Sequence, residues 1–196
     1  MRIGIIDYGA SNLHSVGNGL EALRKSFTII TRPEELAGVD KVILPGVGAA
    51  GSAMEKLKQS GFADVLPTLK IPMLGVCLGL QLMAEFSEED DVEGLSILSG
   101  RVKRFRTELK VPHMGWNTVS LVKKSPLTEG VPEGAYFYFV HAYYLETEPG
   151  CVIGKTSYDV DFPAIVQKGN FYGTQFHPEK SGTWGMKILD NFCTLC

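Results

Sequence analysis

The chain has 196 residues, of which 44% are hydrophobic and 21% charged, a composition typical of a soluble globular protein with one sizeable core. Its net charge of −3 offers no basic excess for nucleic acid or an anionic membrane. The start, MRIGIIDYG, lacks the features of a secretion signal, and no apolar run approaches the roughly 18–20 residues that span a bilayer. We therefore expect one domain, residues 1–196, with neither nucleic acid nor membrane as partner.

The cysteine content is low for this length: Cys77, Cys151, Cys193 and Cys196. Without a secretion signal, this number predicts free thiols in the reducing cytoplasm. Cys193 and Cys196 form a C-x-x-C pair, but at the end of a predicted helix, whereas redox pairs lie at a helix start. No second pair completes a zinc site, so we expect no metal.

The first half alternates short apolar strands with helices. The predicted strands are Arg2–Ile6, Phe27–Thr31, Lys41–Leu44 and Pro72–Val76. The predicted helices carry an apolar stripe at Val16, Leu20 and Leu23, a capping box at Ser52 and Glu55 with a stop at Gly61, and a third helix over Leu78–Phe86. Such alternation predicts a mostly parallel sheet with helices on both faces.

The second half reads as an antiparallel β region closed by a helix. The predicted strands are Val111–Leu121, Tyr136–His141, Val152–Thr156, Ala164–Lys168 and Phe171–Phe176, with a hairpin turn at Lys168-Gly169-Asn170. Ser181 is predicted to cap the closing helix, with Trp184, Ile188, Leu189 and Phe192 facing inward. The acidic segment Glu85–Glu93 is expected to be a solvated loop.

Three turn segments follow strands of the predicted parallel sheet: Asp7–Asn12, Pro45–Gly48 and Gly75–Gly79. Ligands of open α/β sheets bind at the carboxyl ends of the strands. Gly75-Val76-Cys77-Leu78-Gly79 has the pattern of a nucleophile elbow with a thiol as nucleophile, placed where a helix start favours negative charge on sulfur. On this segment alone, a catalytic cysteine and a buried structural one both remain open.

A candidate base lies in "GTQFHPEKS", residues 173–181. Pro178 favours extended backbone at His177, so that His177 and Glu179 point the same way. The carboxylate can then fix the imidazole tautomer and leave the other ring nitrogen for the thiol. Pro45–Gly48 can aim a backbone N–H at a tetrahedral oxyanion, although the segment on its own favours an ordinary Pro-Gly turn.

Taken together, PGVG, GVCLGLQ and HPEKS resemble the class I (triad) glutamine amidotransferases. The opening DYGASNLHSV and the PHMGWN of Pro112–Asn117 are similar to the glutaminase subunits of imidazole glycerol phosphate synthase within that group. The resemblance covers essentially the whole chain. It implies a flavodoxin-like α/β fold and hydrolysis of glutamine to glutamate and ammonia.

The resemblance also implies the site residues. The catalytic triad would be Cys77, His177 and Glu179, the oxyanion hole the backbone of Val47 and Leu78, and the substrate contacts Gly48, Gln81, Ala142 and Tyr143. Ala142 replaces the family's usual serine, so contact there would be through the main chain. The implied partner is a (βα)8-barrel cyclase that receives the ammonia for histidine biosynthesis, with Asn12, Trp116 and Lys180 as interface candidates. No cofactor is expected.

Two alternative functions share parts of this pattern. The glutaminase subunit of another amidotransferase, such as anthranilate synthase, would carry the same triad and differ in its partner-facing motifs. A cysteine hydrolase of related fold would place its acidic group elsewhere.

Overall fold

In the computed structural model the described residues are 1–9 and 12–196; Ala10 and Ser11, in the predicted Asp7–Asn12 segment, lie outside them. The strands are β1 (Ile3–Ile6), β2 (Phe27–Ile30), β3 (Lys41–Leu44), β4 (Met73–Val76), β5 (Phe86–Ser87), β6 (Val92–Glu93), β7 (Gly100–Arg104), β8 (His113–Leu121), β9 (Ala135–His141), β10 (Tyr143–Thr147), β11 (Val152–Tyr158), β12 (Val160–Lys168) and β13 (Phe171–Thr174). The helices are α1 (Leu13–Ala22), α2 (Ala50–Gln59), α3 (Phe62–Val65), α4 (Leu78–Gln81) and α5 (Gly182–Thr194).

A nine-stranded central sheet has the order β2-β1-β3-β4-β13-β12-β11-β8-β9. The strands from β2 to β13 pair in parallel, and those from β13 to β9 pair antiparallel. The predicted α/β architecture, a parallel part joined to an antiparallel region, is confirmed. Because β3, β4 and β13 run in parallel, the segments after them meet at one edge of the sheet, where ligands of such sheets bind.

Two apolar clusters cover the two faces of the sheet. One contains Met54 and Leu57 of α2 and Phe62 of α3, and the other contains α1 and α5 residues such as Val16, Leu20, Ile188, Leu189 and Phe192. The strands β1, β3 and β4 between them are buried along their whole length, as expected of a parallel sheet covered on both sides. Within the described residues the longest helix has 13 residues, and no helix is long and apolar enough to cross a membrane.

A second sheet of four short strands, order β10-β7-β5-β6, was not predicted from the sequence. Its strand β7 reads GRVKR and buries only Val102 fully, and β5 and β6 have two residues each. Such short and charged strands lack the apolar alternation that marks a strand in a sequence.

The helix predicted for Leu78–Phe86 is too long, because α4 ends at Gln81. The carbonyl oxygens of Leu82, Met83 and Ala84 accept hydrogen bonds from the N–H groups of residues 95–98. These long-range bonds replace the ones that a further helical turn would make, so the chain leaves the helix and enters β5.

The predicted capping box of α2 is also wrong. The helix begins at Ala50, and Ser52 lies inside it. Its first N–H groups are capped from the Glu85–Glu93 segment, where Glu89 Oε2 accepts from Ala50 N at 2.9 Å and Asp90 Oδ2 from Gly51 N at 2.9 Å. The acidic loop is therefore a cap and not only a solvated segment.

The closing helix α5 begins where it was predicted, after Ser181, but Ser181 does not cap it through its side chain. The Ser181 hydroxyl instead donates to His177 O at 2.6 Å and accepts from Tyr138 N at 2.8 Å. Trp184, predicted to face inward, is 37% exposed because it sits in the first turn of the helix, beyond the buried stripe.

Candidate active site

Cys77 sits on a sharp turn between β4 and α4, with φ 54° and ψ −108°. A positive φ in a residue other than glycine is strained by about 1–3 kcal/mol, and such strain concentrates at functional sites. The flanking glycines make the turn possible. A Cβ on Gly79 would lie 1.9 Å from Leu44 O, and one on Gly75 would lie 2.7 Å from Gly79 O. The predicted elbow is present.

His177 and Glu179 form a buried pair next to this turn. His177 Nδ1 lies 2.9 Å from Glu179 Oε1, and both side chains are 1% exposed. His177 has the extended backbone that Pro178 predicts, φ −93° and ψ 99°. Its N–H donates to Tyr138 O of β9 at 3.0 Å, so the base is anchored to the sheet. Because Nδ1 faces the carboxylate, Nε2 is the nitrogen available to the thiol.

The electrostatics of the pair favour a protonated imidazole. Burial works against charge on His177, but hydrogen bonding and charge from Cys77 and Glu179 outweigh it and raise its pKa to about 9. Burial likewise works against charge on Glu179, yet the hydrogen bonds from His177 and Asn12 lower its pKa below the ordinary value. His177 can therefore carry a proton at neutral pH and pass it to a leaving group.

Asn12, predicted to face a partner, lies behind this pair. Its Nδ2 donates to Glu179 Oε1 at 3.0 Å, the same oxygen that meets His177. Its side chain thus contacts the candidate triad at Glu179, a contact that the sequence did not indicate.

A cleft of about 330 Å³ opens over the elbow. Eight residues of the predicted site line it: Val47, Gly48, Cys77, Leu78, Gln81, Ala142, Tyr143 and His177. Glu179 lies behind His177, outside the lining. The structure therefore brings together in one cleft the segments that follow β3, β4, β9 and β13.

Three polar residues at or beneath this cleft were not predicted from the sequence: Glu89, His141 and Gln175. Glu89 and His141 line the cleft, and Gln175 Nε2 lies 3.8 Å from Cys77 Sγ. Burial raises the pKa of Glu89 above its ordinary value, which the Ala50 N–H partly opposes. No sequence motif marked Glu89, because its approach to the cleft depends on how the acidic loop folds over α2.

Trp116 and Lys180, the other predicted interface residues, lie on the surface. Trp116 is 55% exposed and shares the outer face of β8 with Met114, which is 60% exposed. A Cβ on Gly182 would lie 3.8 Å from the Trp116 ring, so Trp116 neighbours the turn that carries Lys180. Within residues 1–9 and 12–196, no three His, Cys, Asp or Glu side chains group closely enough to hold a metal ion.

A known protein family matches nearly the whole chain. The sequence model of the family described as "Glutamine amidotransferase class-I" matches residues 4–196. The chain belongs to the class-I glutamine amidotransferase family. The predicted family resemblance is thereby confirmed. The geometry makes the thiol on the elbow, beside the buried His–Glu pair, the candidate active site of this amidotransferase.

Curated relatives of the amidotransferase align over nearly their whole length. Imidazole glycerol phosphate synthase subunit HisH of Methanocaldococcus jannaschii is 48% identical over 197 residues, which cover 98% of this chain and 99% of that protein. The protein of the same name from Archaeoglobus fulgidus is 45% identical over 195 residues, 98% of each chain.

Solved structures share the fold of the amidotransferase at low sequence identity. A glutamine amidotransferase crystal structure superimposes with a TM-score of 0.77 at 19% identity, covering 97% of this chain and 96% of its own. PurLQS from Thermotoga maritima gives a TM-score of 0.74 at 18% identity, covering 98% and 97%. The predicted fold class is confirmed by these neighbours.

Proposed function

We propose that this amidotransferase is the glutaminase subunit of an imidazole glycerol phosphate synthase. It hydrolyses glutamine to glutamate and ammonia, and a cyclase subunit uses the ammonia in histidine biosynthesis. The observation that carries the proposal is that Cys77 shares one cleft with His177, which is paired from behind with buried Glu179. Support comes from relatives of 45–48% identity that are named as subunits of this synthase.

The first half of the reaction releases ammonia. Cys77 gives its proton to His177 Nε2, and its sulfur attacks the side-chain carbonyl carbon of glutamine. The tetrahedral intermediate collapses when His177 returns a proton to the nitrogen, which leaves as ammonia. A thioester then joins the substrate to Cys77. Glu179 holds the imidazole through Nδ1 and stabilises its charged form.

The second half regenerates the enzyme. His177 takes a proton from water, and the oxygen attacks the thioester carbon, so that glutamate leaves and Cys77 regains its thiol. Both halves pass through an oxyanion. Leu78 is the first residue of α4 and lines the cleft, and Val47 lines the same space. We assign the backbone groups of these two residues to the oxyanion hole, where losing one donor costs about 10²–10³ in rate.

Recognition of glutamine falls to other residues that line the cleft. Glu89 is the carboxylate among the lining residues, so it suits the substrate's α-ammonium group. Gly48 and the Ala142–Tyr143 backbone offer main-chain groups to the rest of the substrate. Gln81 donates to Tyr143 O at 2.8 Å and thereby supports that backbone from below.

The cyclase partner, which we propose to be a (βα)8 barrel, docks near Trp116 and Lys180. An exposed tryptophan beside an exposed lysine offers the aromatic and charged contacts that interfaces favour. We further propose that residues 1–196 act as one catalytic domain in the cytoplasm, with free thiols.

The proposal is tested in the complex reconstituted with the cyclase. Cys77→Ala should abolish glutamine-dependent synthesis, a loss of at least about 10³, but keep synthesis from ammonium salt at raised pH, because the thiol serves only ammonia release. Cys151→Ala, a buried cysteine outside the cleft, is the matched control and should keep both activities. Glutamine-dependent activity surviving in Cys77→Ala, or loss of both activities in an intact complex, would contradict the assignment.

A further inference from the structure

A buried line of hydrogen bonds runs from strand β8 to the cleft, and the proposed chemistry does not use it. Strands β8 and β9 pair with His113 opposite His141. Asn117 Nδ2 lies 3.2 Å from His113 Nε2, His113 Nδ1 lies 2.9 Å from His141 Nε2, and His141 Nδ1 lies 2.7 Å from Tyr143 O. Both histidines are buried, with 4% and 6% exposure, so these contacts exclude water.

The partners allow one arrangement of protons for two neutral rings. Tyr143 O can only accept, so His141 Nδ1 carries the proton there and His141 Nε2 is an acceptor. His113 Nδ1 must then donate to His141, which leaves His113 Nε2 to accept from the Asn117 amide. Every ring nitrogen is satisfied, and all donors point toward the cleft.

The amide at the far end is itself held in place. Thr118 N donates to Asn117 Oδ1 at 2.8 Å, and Asn117 Nδ2 also donates to Ser157 O at 3.0 Å. The amide therefore cannot turn its oxygen toward His113 without losing both contacts. A proton added to either ring would set two donors against each other, and burial accordingly lowers the pKa of His113 to about 4 and that of His141 to about 3.

At the cleft the line ends on a carbonyl that two side chains share. Tyr143 O accepts from His141 and from Gln81 Nε2, and Gln81 Nε2 also lies 3.1 Å from Gln175 Oε1. Gln175 Nε2 in turn lies 3.8 Å from Cys77 Sγ. The orientation of the Tyr143 peptide is thus fixed from both sides, next to the nucleophile.

We propose that His113 and His141 are positioning residues for glutamine, which act by holding the Ala142–Tyr143 backbone in its substrate-binding orientation. The inference rests on the proposed function, which supplies glutamine as the ligand of this cleft. Aromatic rings such as Phe105, Phe139 and Phe162 surround the pair. Apolar side chains would fill this space equally well, and they would not need the hydrogen-bond partners that two buried imidazoles require. The hydrogen bonds, and not the volume, are what the pair contributes.

A matched pair of substitutions separates the hydrogen bond from the packing. In His141→Asn the side-chain amide can occupy the position of Nδ1 and keep the hydrogen bond to Tyr143 O. In His141→Leu the side chain has nearly the same shape as asparagine but no donor. In the complex with the cyclase, His141→Leu should raise the KM for glutamine about tenfold with kcat within about threefold of the wild type, as expected when a contact shared by ground and transition states is weakened. His141→Asn should keep KM within about threefold.

A second pair of substitutions, at His113, tests the same line of hydrogen bonds if the His141 variants fail to fold. His113→Asn keeps the donor to His141 and His113→Leu removes it, so KM should rise about threefold in the leucine variant only. The rate at which iodoacetamide alkylates Cys77 should be the same in all four variants, because that reaction does not need bound glutamine.

Three results would overturn the inference. They are equal KM values within each asparagine–leucine pair, a fall in kcat at constant KM, or loss of Cys77 alkylation in the leucine variants only. If the wild-type complex itself hydrolyses no glutamine, the proposed function fails and the inference falls with it. An active wild type with indistinguishable pairs overturns the inference alone.

Discussion

A single oxygen of Glu179 contacts both His177, the candidate base, and Asn12, which lies near the other end of the chain. Glu179 Oε1 meets His177 Nδ1 at 2.9 Å and Asn12 Nδ2 at 3.0 Å. A buried carboxylate needs such donors, since without them burial raises its pKa and removes the charge that stabilises the imidazolium. Asn12 therefore holds Glu179 from inside the chain, and we expect this role to persist without a partner.

Substitution of Asn12 tests this role directly. Asn12→Ala should lower kcat of the isolated chain about fivefold to tenfold at nearly constant KM, because one charge-assisted hydrogen bond to Glu179 is lost. Asn12→Asp should be worse, since it sets a second carboxylate beside the first. Steady-state glutamine hydrolysis measures both. If Asn12 served only the partner interface, Asn12→Ala would leave the isolated chain unchanged and reduce only stimulation by the cyclase.

At the scale of single elements, the acidic loop takes the place of a local helix cap. The N-cap residue of α2 is Ala49, which has no side-chain acceptor, and Glu89 and Asp90 supply the oxygens instead. Negative charge at a helix start is also favoured by the helix dipole. The loop thereby holds Glu89 over the cleft, so capping and the proposed substrate recognition are coupled.

The stability contribution of this cap can be measured at Asp90 without altering the cleft. Asp90→Ala should lower the free energy of unfolding by about 0.5–1 kcal/mol, the usual effect of removing a helix cap. Asp91→Ala is a suitable control, because Asp91 is also exposed and has a similar positive φ, 51° against 62°. Urea denaturation compares the two. Equal losses in both variants would show that the Asp90 contact does not cap α2.

For the whole molecule, the buried histidine pair makes stability depend on pH. Burial lowers the pKa of His141 from 6.5 to about 3. Between these pH values the unfolded chain binds a proton at His141 and the folded chain does not. The stabilisation from the neutral ring is complete above pH 6.5 and decreases as the pH falls toward the folded pKa. Acid should therefore weaken the fold through this site well before carboxylates protonate.

Comparison of two histidine variants isolates this effect. Between pH 7 and pH 5 the wild type should lose about 1–2 kcal/mol more unfolding free energy than His141→Asn, because only the wild type takes up the extra proton on unfolding. His14→Asn, a substitution at an exposed histidine of α1, should follow the wild type. Urea denaturation at both pH values gives the free energy of unfolding of each variant. Parallel pH slopes in the wild type and His141→Asn would refute the link to this ring.

Much of the fold follows from local sequence patterns. The strands β1, β3 and β4 lie within a residue of the predicted ranges, because short apolar runs between turn residues mark buried strands. The elbow at Cys77 and the pair of His177 with Glu179 were predicted for similarly local reasons. Glycine spacing sets the turn, and proline sets the extended backbone that aligns the two side chains. Family resemblance added the lining residues of the cleft.

The remaining features depend on contacts between distant segments, which no local pattern contains. The length of α4 is decided by hydrogen bonds to residues 95–98, and the cap of α2 comes from a loop about 40 residues away. No nearby residue in the sequence marks a hydrogen-bond partner for His113 or His141. The register of β8 and β9 places the two rings opposite each other. The sequence by itself thus determined the candidate nucleophile at Cys77, the candidate base at His177 and the order of the apolar runs that become strands. Only the tertiary structure decided what supports them, because a buried polar group takes whichever partner the packing brings within hydrogen-bond distance.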